Sequence, residues 1–151
     1  MGLDMYLDKR TYVKYWEHNG DDNYEVKVTK KDEPTNIDPK KVKYIIEEAG
    51  YWRKANQIHR WFVLNVQGGE DDCGDYYVDS SQMKELLDLC KKVQADHSLA
   101  EVLLPSTSGF FFGGTDYDEW YYNDIDTTIS ILEEALEDTN GEYYYLSLIH
   151  I

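Results

Sequence analysis

An α+β fold, with helices packed against one mainly antiparallel sheet, follows from three features of this sequence. Leu3, Met5 and Leu7 alternate with Asp4, Tyr6 and Asp8, the period of a half-buried strand. Asp79 stands three residues before Gln82 and ahead of an apolar stripe of Met83, Leu86, Leu87, Cys90 and Val93, which marks a capped amphipathic helix. Asn19-Gly20 lies between two β-rich stretches, Thr11–Trp16 and Tyr24–Lys30, and so predicts a hairpin. A hairpin near the start argues against a purely parallel sheet.

The remaining elements follow in chain order. Residues 31–41 form a charged, Pro-containing connection. Lys41–Tyr51 has a helical reading, with Asp38-Pro39 as a cap and Val42, Ile45, Ile46 and Ala49 at helical spacing. Its Val-Lys-Tyr-Ile-Ile run favours a strand continuing into Tyr51–Arg53. A helix is expected over Ala55–Val66, with Ala55, Ile58, Phe62 and Val66 on one face and Gly68-Gly69 as its stop. Cys73–Val78 reads as a short strand. Ser98–Leu104 is a short apolar segment stopped by Pro105, and Gly109-Phe110-Phe111-Phe112-Gly113 a compact strand between glycines. A third helix is expected over Glu119–Glu137, and Glu142–Leu146 as a last strand.

Charge is divided unevenly along the chain. Residues 1–60 carry 12 Lys and Arg against 11 Asp and Glu, whereas residues 61–151 carry three against 19. The acidic half repels a phosphate backbone, which disfavours direct nucleic-acid binding, and suits a partner protein with a basic surface. A charge run of this kind also serves solubility alone. No apolar run approaches a membrane span, so no membrane is expected. Cys73 and Cys90 cannot make a multi-disulfide framework and read as reduced thiols of a cytoplasmic protein.

The densest chemistry lies in Tyr51–Phe62, which holds Trp52, Arg53, Lys54, Asn56, His59 and Trp61 in a stretch free of acids from Ala49 to Gly69. Arg53 and Lys54 suit a phosphate or carboxylate and a Trp stacks on a ring, so the block is a candidate site for a small anionic ligand. The competing reading puts Trp52 and Trp61 in the core and pairs the cations with the abundant acids. Asn56, His59 and Cys73 are the residue types of a Cys-His-Asn hydrolase, but Asp71, Asp72 and Asp75 around Cys73 work against a thiolate. Neither CxxC nor HExxH occurs, the loop after Asp116 lacks calcium-ligand spacing, and no metal or other cofactor is implied.

Gly2-Leu3-Asp4-Met5-Tyr6, Tyr51-Trp52-Arg53-Lys54 with Asn56, His59 and Trp61, Cys73, Leu104-Pro105 and Gly109–Gly113 together resemble a family of small uncharacterised proteins found in phages, prophages and bacteria. That resemblance spans most of the chain and implies a phage or mobile-element setting in a bacterial host, with no established activity. Members typically finish on a tyrosine-rich strand followed by Ser and Trp. Tyr143–Ser147 fits that ending, whereas Leu148-Ile149-His150-Ile151 resembles translated sequencing adapter. The expected organisation is therefore one domain over residues 1–147 and a non-native tail over 148–151. The leading functional expectation is a non-enzymatic accessory module that binds a host protein through its acidic face or aromatic surfaces. The alternative is a protein or small enzyme that holds an anionic or nucleotide-like ligand at the Arg53–Trp61 block.

Overall fold

The computed structural model describes residues 2–107 and 115–150. Its main sheet contains β1 (Gly2–Tyr12), β4 (Tyr44–Arg53), β5 (Asp75–Val78) and β6 (Glu142–His150) in the order β4-β1-β6-β5, every neighbouring pair antiparallel. A two-stranded ribbon of β2 (Thr29–Lys30) and β3 (Glu33–Pro34) lies in the connection between β1 and β4. The helices are α1 (Asn56–Asn65), α2 (Ser80–Ala95), the single turn α3 (Ala100–Leu103) and α4 (Glu119–Glu137). The fold is thus α+β with a mainly antiparallel sheet. Among the described residues no helix is long and apolar enough to cross a membrane. The Gly109–Gly113 strand reading lies outside the described residues.

Strand alternation builds the core. Leu3, Met5 and Leu7 of β1, with Tyr143 and Tyr145 of β6, turn to one face of the sheet and are buried there. Ile58 and Phe62 of α1, the Met83-to-Val93 stripe of α2, and Ile125, Ile129 and Leu132 of α4 close over that face. The Asp79 side chain accepts from the Gln82 N–H at 2.8 Å, and the Gln82 side chain accepts from the Asp79 N–H at 3.0 Å, completing the expected capping box. Gly50 sits where β4 meets α4. A Cβ there would lie 2.5 Å from Ile131 Cγ2, so only glycine lets strand and helix approach. Next to it the β1–β4 register shifts between Leu7 and Asp8, leaving Ala49 as the extra residue of a bulge.

The hairpin across Asn19-Gly20 does not form. β1 stops at Tyr12 and residues Glu17–Asp22 make a 3-10 turn. Asn23 ties that turn together: its side chain accepts from the Trp16 N–H and donates to the carbonyls of Trp16 and Gly20. β1 instead pairs with β4 and with β6, where longer registers and apolar burial outweigh a local turn signal. The hairpin that does form turns on Lys31 and Asp32, both at positive φ, as a two-residue turn requires. The Lys41–Tyr51 stretch is a strand from Tyr44 onward, the strand after Cys73 begins at Asp75, and β6 runs on to His150.

Asp124 of α4 is half-buried beside Gln57 of α1. Burial pushes its carboxyl up to about 6; the Gln57 hydrogen bond opposes this and Asp118 adds to it. The folded state thus holds this proton more tightly than the unfolded chain does. Its contribution to stability is full below the unfolded pKa and is lost as pH rises through about 6. Asp124→Asn is expected to raise the unfolding free energy at pH 7 by about 1–2 kcal/mol, discounted for partial exposure, and to leave it unchanged at pH 4. Urea titrations at the two pH values measure this; an equal gain at both would contradict it.

Candidate functional site on the uncovered sheet face

The acid-free block is split between core and surface. Trp52, next to the end of β4, lies inside the core, and its Nε1–H donates to Thr128 Oγ1 at 2.8 Å. Trp61 is buried edge-on against Phe62, with ring centroids 5.2 Å apart. Asn56 is buried at the start of α1, and its Oδ1 accepts from the Thr107 N–H at 2.9 Å. Arg53 and Lys54 stay at the surface, where Lys54 takes a left-handed φ of 55° and donates its N–H to the Leu3 carbonyl. The six side chains therefore do not share one opening. Five depressions among the described residues, of about 200 to 650 Å³, are lined by other residues.

His59 is the centre of a buried polar chain. Its Nδ1 lies 2.6 Å from the Tyr145 hydroxyl and its Nε2 lies 3.0 Å from Asp71 Oδ2. The first contact is a hydrogen bond between imidazole and phenol, and the second an ion-pair distance between imidazole and carboxylate. Burial pushes the Tyr145 phenol far up, and Asp71 and Cys73 nearby push it further. Cys73 itself is exposed at a φ of 58°. The described contacts of Asn56 and His59 run to Thr107, Tyr145 and Asp71, and none of them joins either side chain to the Cys73 thiol as a hydrolase triad requires.

The other face of the sheet carries a different surface. In the order β4-β1-β6-β5, successive rows across it read Tyr51, Tyr6, Leu146, Asp75, then Glu48, Asp8, Tyr144, Tyr77, then Ile46, Arg10, Glu142. Tyr12 and Tyr44 continue it at one end, beside a depression of about 550 Å³ that also involves Tyr24. Tyr44, Ile46, Tyr51 and Tyr77 are between 41% and 56% exposed, so nothing among the described residues covers them. The rings meet in cross-strand pairs: Tyr6 with Tyr51 at 5.2 Å, Tyr12 with Tyr44 at 5.2 Å, and Tyr77 with Tyr144 at 5.7 Å.

Charge on this face is organised and mostly negative. Arg10 pairs with Asp75 while its guanidinium lies 4.0 Å over the Tyr144 ring. That pairing holds the Asp75 carboxyl below its ordinary range. The Tyr51 hydroxyl donates to Asp4 at 2.5 Å, which raises its phenol pKa. Asp8 sits directly opposite Glu48; burial raises its carboxyl pKa, Arg10 opposes this, and Glu48 adds to the rise. Five carboxylates (Asp4, Asp8, Glu48, Asp75 and Glu142) thus share the face with two cations, Arg10 and Arg53.

Such a face offers broad, stiff aromatic contact area with polar tips, at low cost in side-chain entropy. Its acids oppose a phosphate backbone, which separates it from basic sheet faces that stack RNA bases. The sequence signal was present but dispersed: tyrosines at the outward positions of strands far apart in the chain. No family model, curated protein or solved structure matches this chain.

Proposed function

We propose that this chain is a non-enzymatic interaction module, and that it docks a partner protein with a basic surface on the uncovered face of its sheet. The observation that carries this reading is a row of tyrosines and aliphatic side chains, open to solvent on a rigid sheet, among carboxylates that outnumber the cations. Apolar contact supplies affinity, and the negative rim selects a basic partner and speeds encounter. The resemblance to phage and prophage proteins supports placing that partner in a bacterial host.

The test begins with a photo-crosslinking residue at Tyr77 on the open face and, separately, at Glu85 on the exposed side of α2. A protein crosslinked in bacterial lysate from position 77 is then purified and titrated against the full chain. The expected result is a partner with a basic surface, and a Kd raised at least about tenfold by Tyr51→Ser with Tyr144→Ser. Asp8→Lys is expected to slow association and to flatten its salt dependence. Crosslinks that come mainly from Glu85, or an affinity indifferent to the tyrosine pair, would overturn the proposal.

A further inference from the structure

The sheet has a second unfinished feature, its β4 edge, which borders the docking face and shares Tyr44 and Ile46 with it. Among the described residues β4 pairs only with β1, and Lys43 to Glu48 are all exposed. The Val13 N–H donates to the Lys43 carbonyl at 2.7 Å. Hydrogen-bonding positions alternate along an antiparallel pair, so Ile45 and Glu47 also point their backbone groups at β1. Tyr44 and Ile46 therefore turn their N–H and C=O groups outward to the edge. Open backbone groups beside apolar side chains form a template for another strand. Tyr44, Ile45 and Ile46 are 49%, 41% and 56% exposed. The bulge at Ala49-Gly50 lies beyond this stretch and leaves its pairing register with β1 unbroken.

We propose that the strand which completes this edge is β4 of a second copy of the same chain. The sequence Lys43-Tyr44-Ile45-Ile46-Glu47 is basic at one end, apolar in the middle and acidic at the other. Antiparallel pairing about a two-fold axis at Ile45 sets Lys43 opposite Glu47 of the other copy, and Tyr44 opposite Ile46. Residues paired this way share a face of the sheet, as they must: Lys43, Ile45 and Glu47 lie on one side, Tyr44 and Ile46 on the other. The outward groups of Tyr44 and Ile46 then bond to each other across the axis. A shift to an axis at Ile46 instead places Ile45 against Glu47 and loses the charge match. The product is a continuous eight-stranded sheet whose two aromatic faces lie on the same side.

A strand pair of this size makes a small interface, so the expected dimer depends on concentration. Sedimentation equilibrium on the full chain up to about 200 µM is expected to show it. Lys43→Glu is expected to weaken it at least tenfold, and Lys43→Glu with Glu47→Lys to restore it, since the exchange re-creates the pair in mirror order. Ile46→Pro removes an edge donor without touching a β1–β4 bond and is expected to leave a monomer with unchanged circular dichroism. A chain that stays monomeric throughout overturns the proposal. So does a dimer that survives Ile46→Pro or is indifferent to Lys43→Glu. Should Ile46→Pro unfold, the charge exchange decides alone.

Discussion

Phe62→Ala is expected to lower the unfolding free energy by about 3–5 kcal/mol, the largest effect of any single change discussed here. Phe62 is fully buried in α1 and its ring stacks on Tyr145 of β6, centroids 3.9 Å apart and planes within 5°. Trp52 and Trp61 close around it at 6.0 and 5.2 Å. Truncation removes the contact between helix and sheet at the point where three large rings converge, and such rings cannot collapse into the gap without leaving their rotamers. Leu64, on the same helix but 51% exposed, is the internal control, and its change to Ala is expected to stay within about 0.5 kcal/mol. Urea denaturation compares them. A loss for Phe62→Ala below about 1 kcal/mol would mean that α1 does not dock as described.

His59→Ala is expected to cost about 2–4 kcal/mol, from a cavity and from the loss of a partner for the buried Tyr145 hydroxyl. Tyr145→Phe removes the same bond from the other side and is expected to cost about 1–2 kcal/mol. The double variant is then expected to be less destabilised than the sum of the two, by at least about 0.5 kcal/mol, because the lost bond is counted twice. Strict additivity would show that the 2.6 Å contact contributes nothing. The cycle also matters for function. A histidine whose removal costs this much stability lowers any cellular activity through folding, so a loss of activity in His59→Ala does not by itself make it a reacting group.

The helices were the most legible part of the sequence. α2 and α4 announce themselves by local means, a capping box before one and a full apolar stripe in the other, and both fall where periodicity places them. β4 was legible from β-branched composition. The misplaced hairpin shows what local signals leave out. Asn19-Gly20 is a good turn pair, but β1 finds its partners in residues 44–53 and 142–150, a choice made by burial across the whole chain. The YWRKANQIHRWF block stood out by composition, and composition does not say which way a side chain points. Strand alternation sends Trp52 inward and Arg53 outward, and the start of α1 buries Asn56 and His59. The aromatic face was hidden for the opposite reason. Tyr6, Tyr51, Tyr77 and Tyr144 come from four strands, and only the order β4-β1-β6-β5 sets them side by side.

The central position of β1 also bears on the order of events during synthesis. Residues 2–10 pair with residues 142–150, so the middle of the sheet waits for a segment made some 130 residues later. Closing a loop of that size precedes any reward from the contacts it allows, and such topologies fold slowly. Until β6 arrives, the backbone edge of β1 that pairs with it remains open on a nascent chain. The helical pair α2 and α4 is complete before then and forms by nearer contacts. The acidic character of residues 61–151 acquires a second meaning in that interval, since mutual repulsion between unfinished chains keeps their apolar strands apart until each sheet closes on itself.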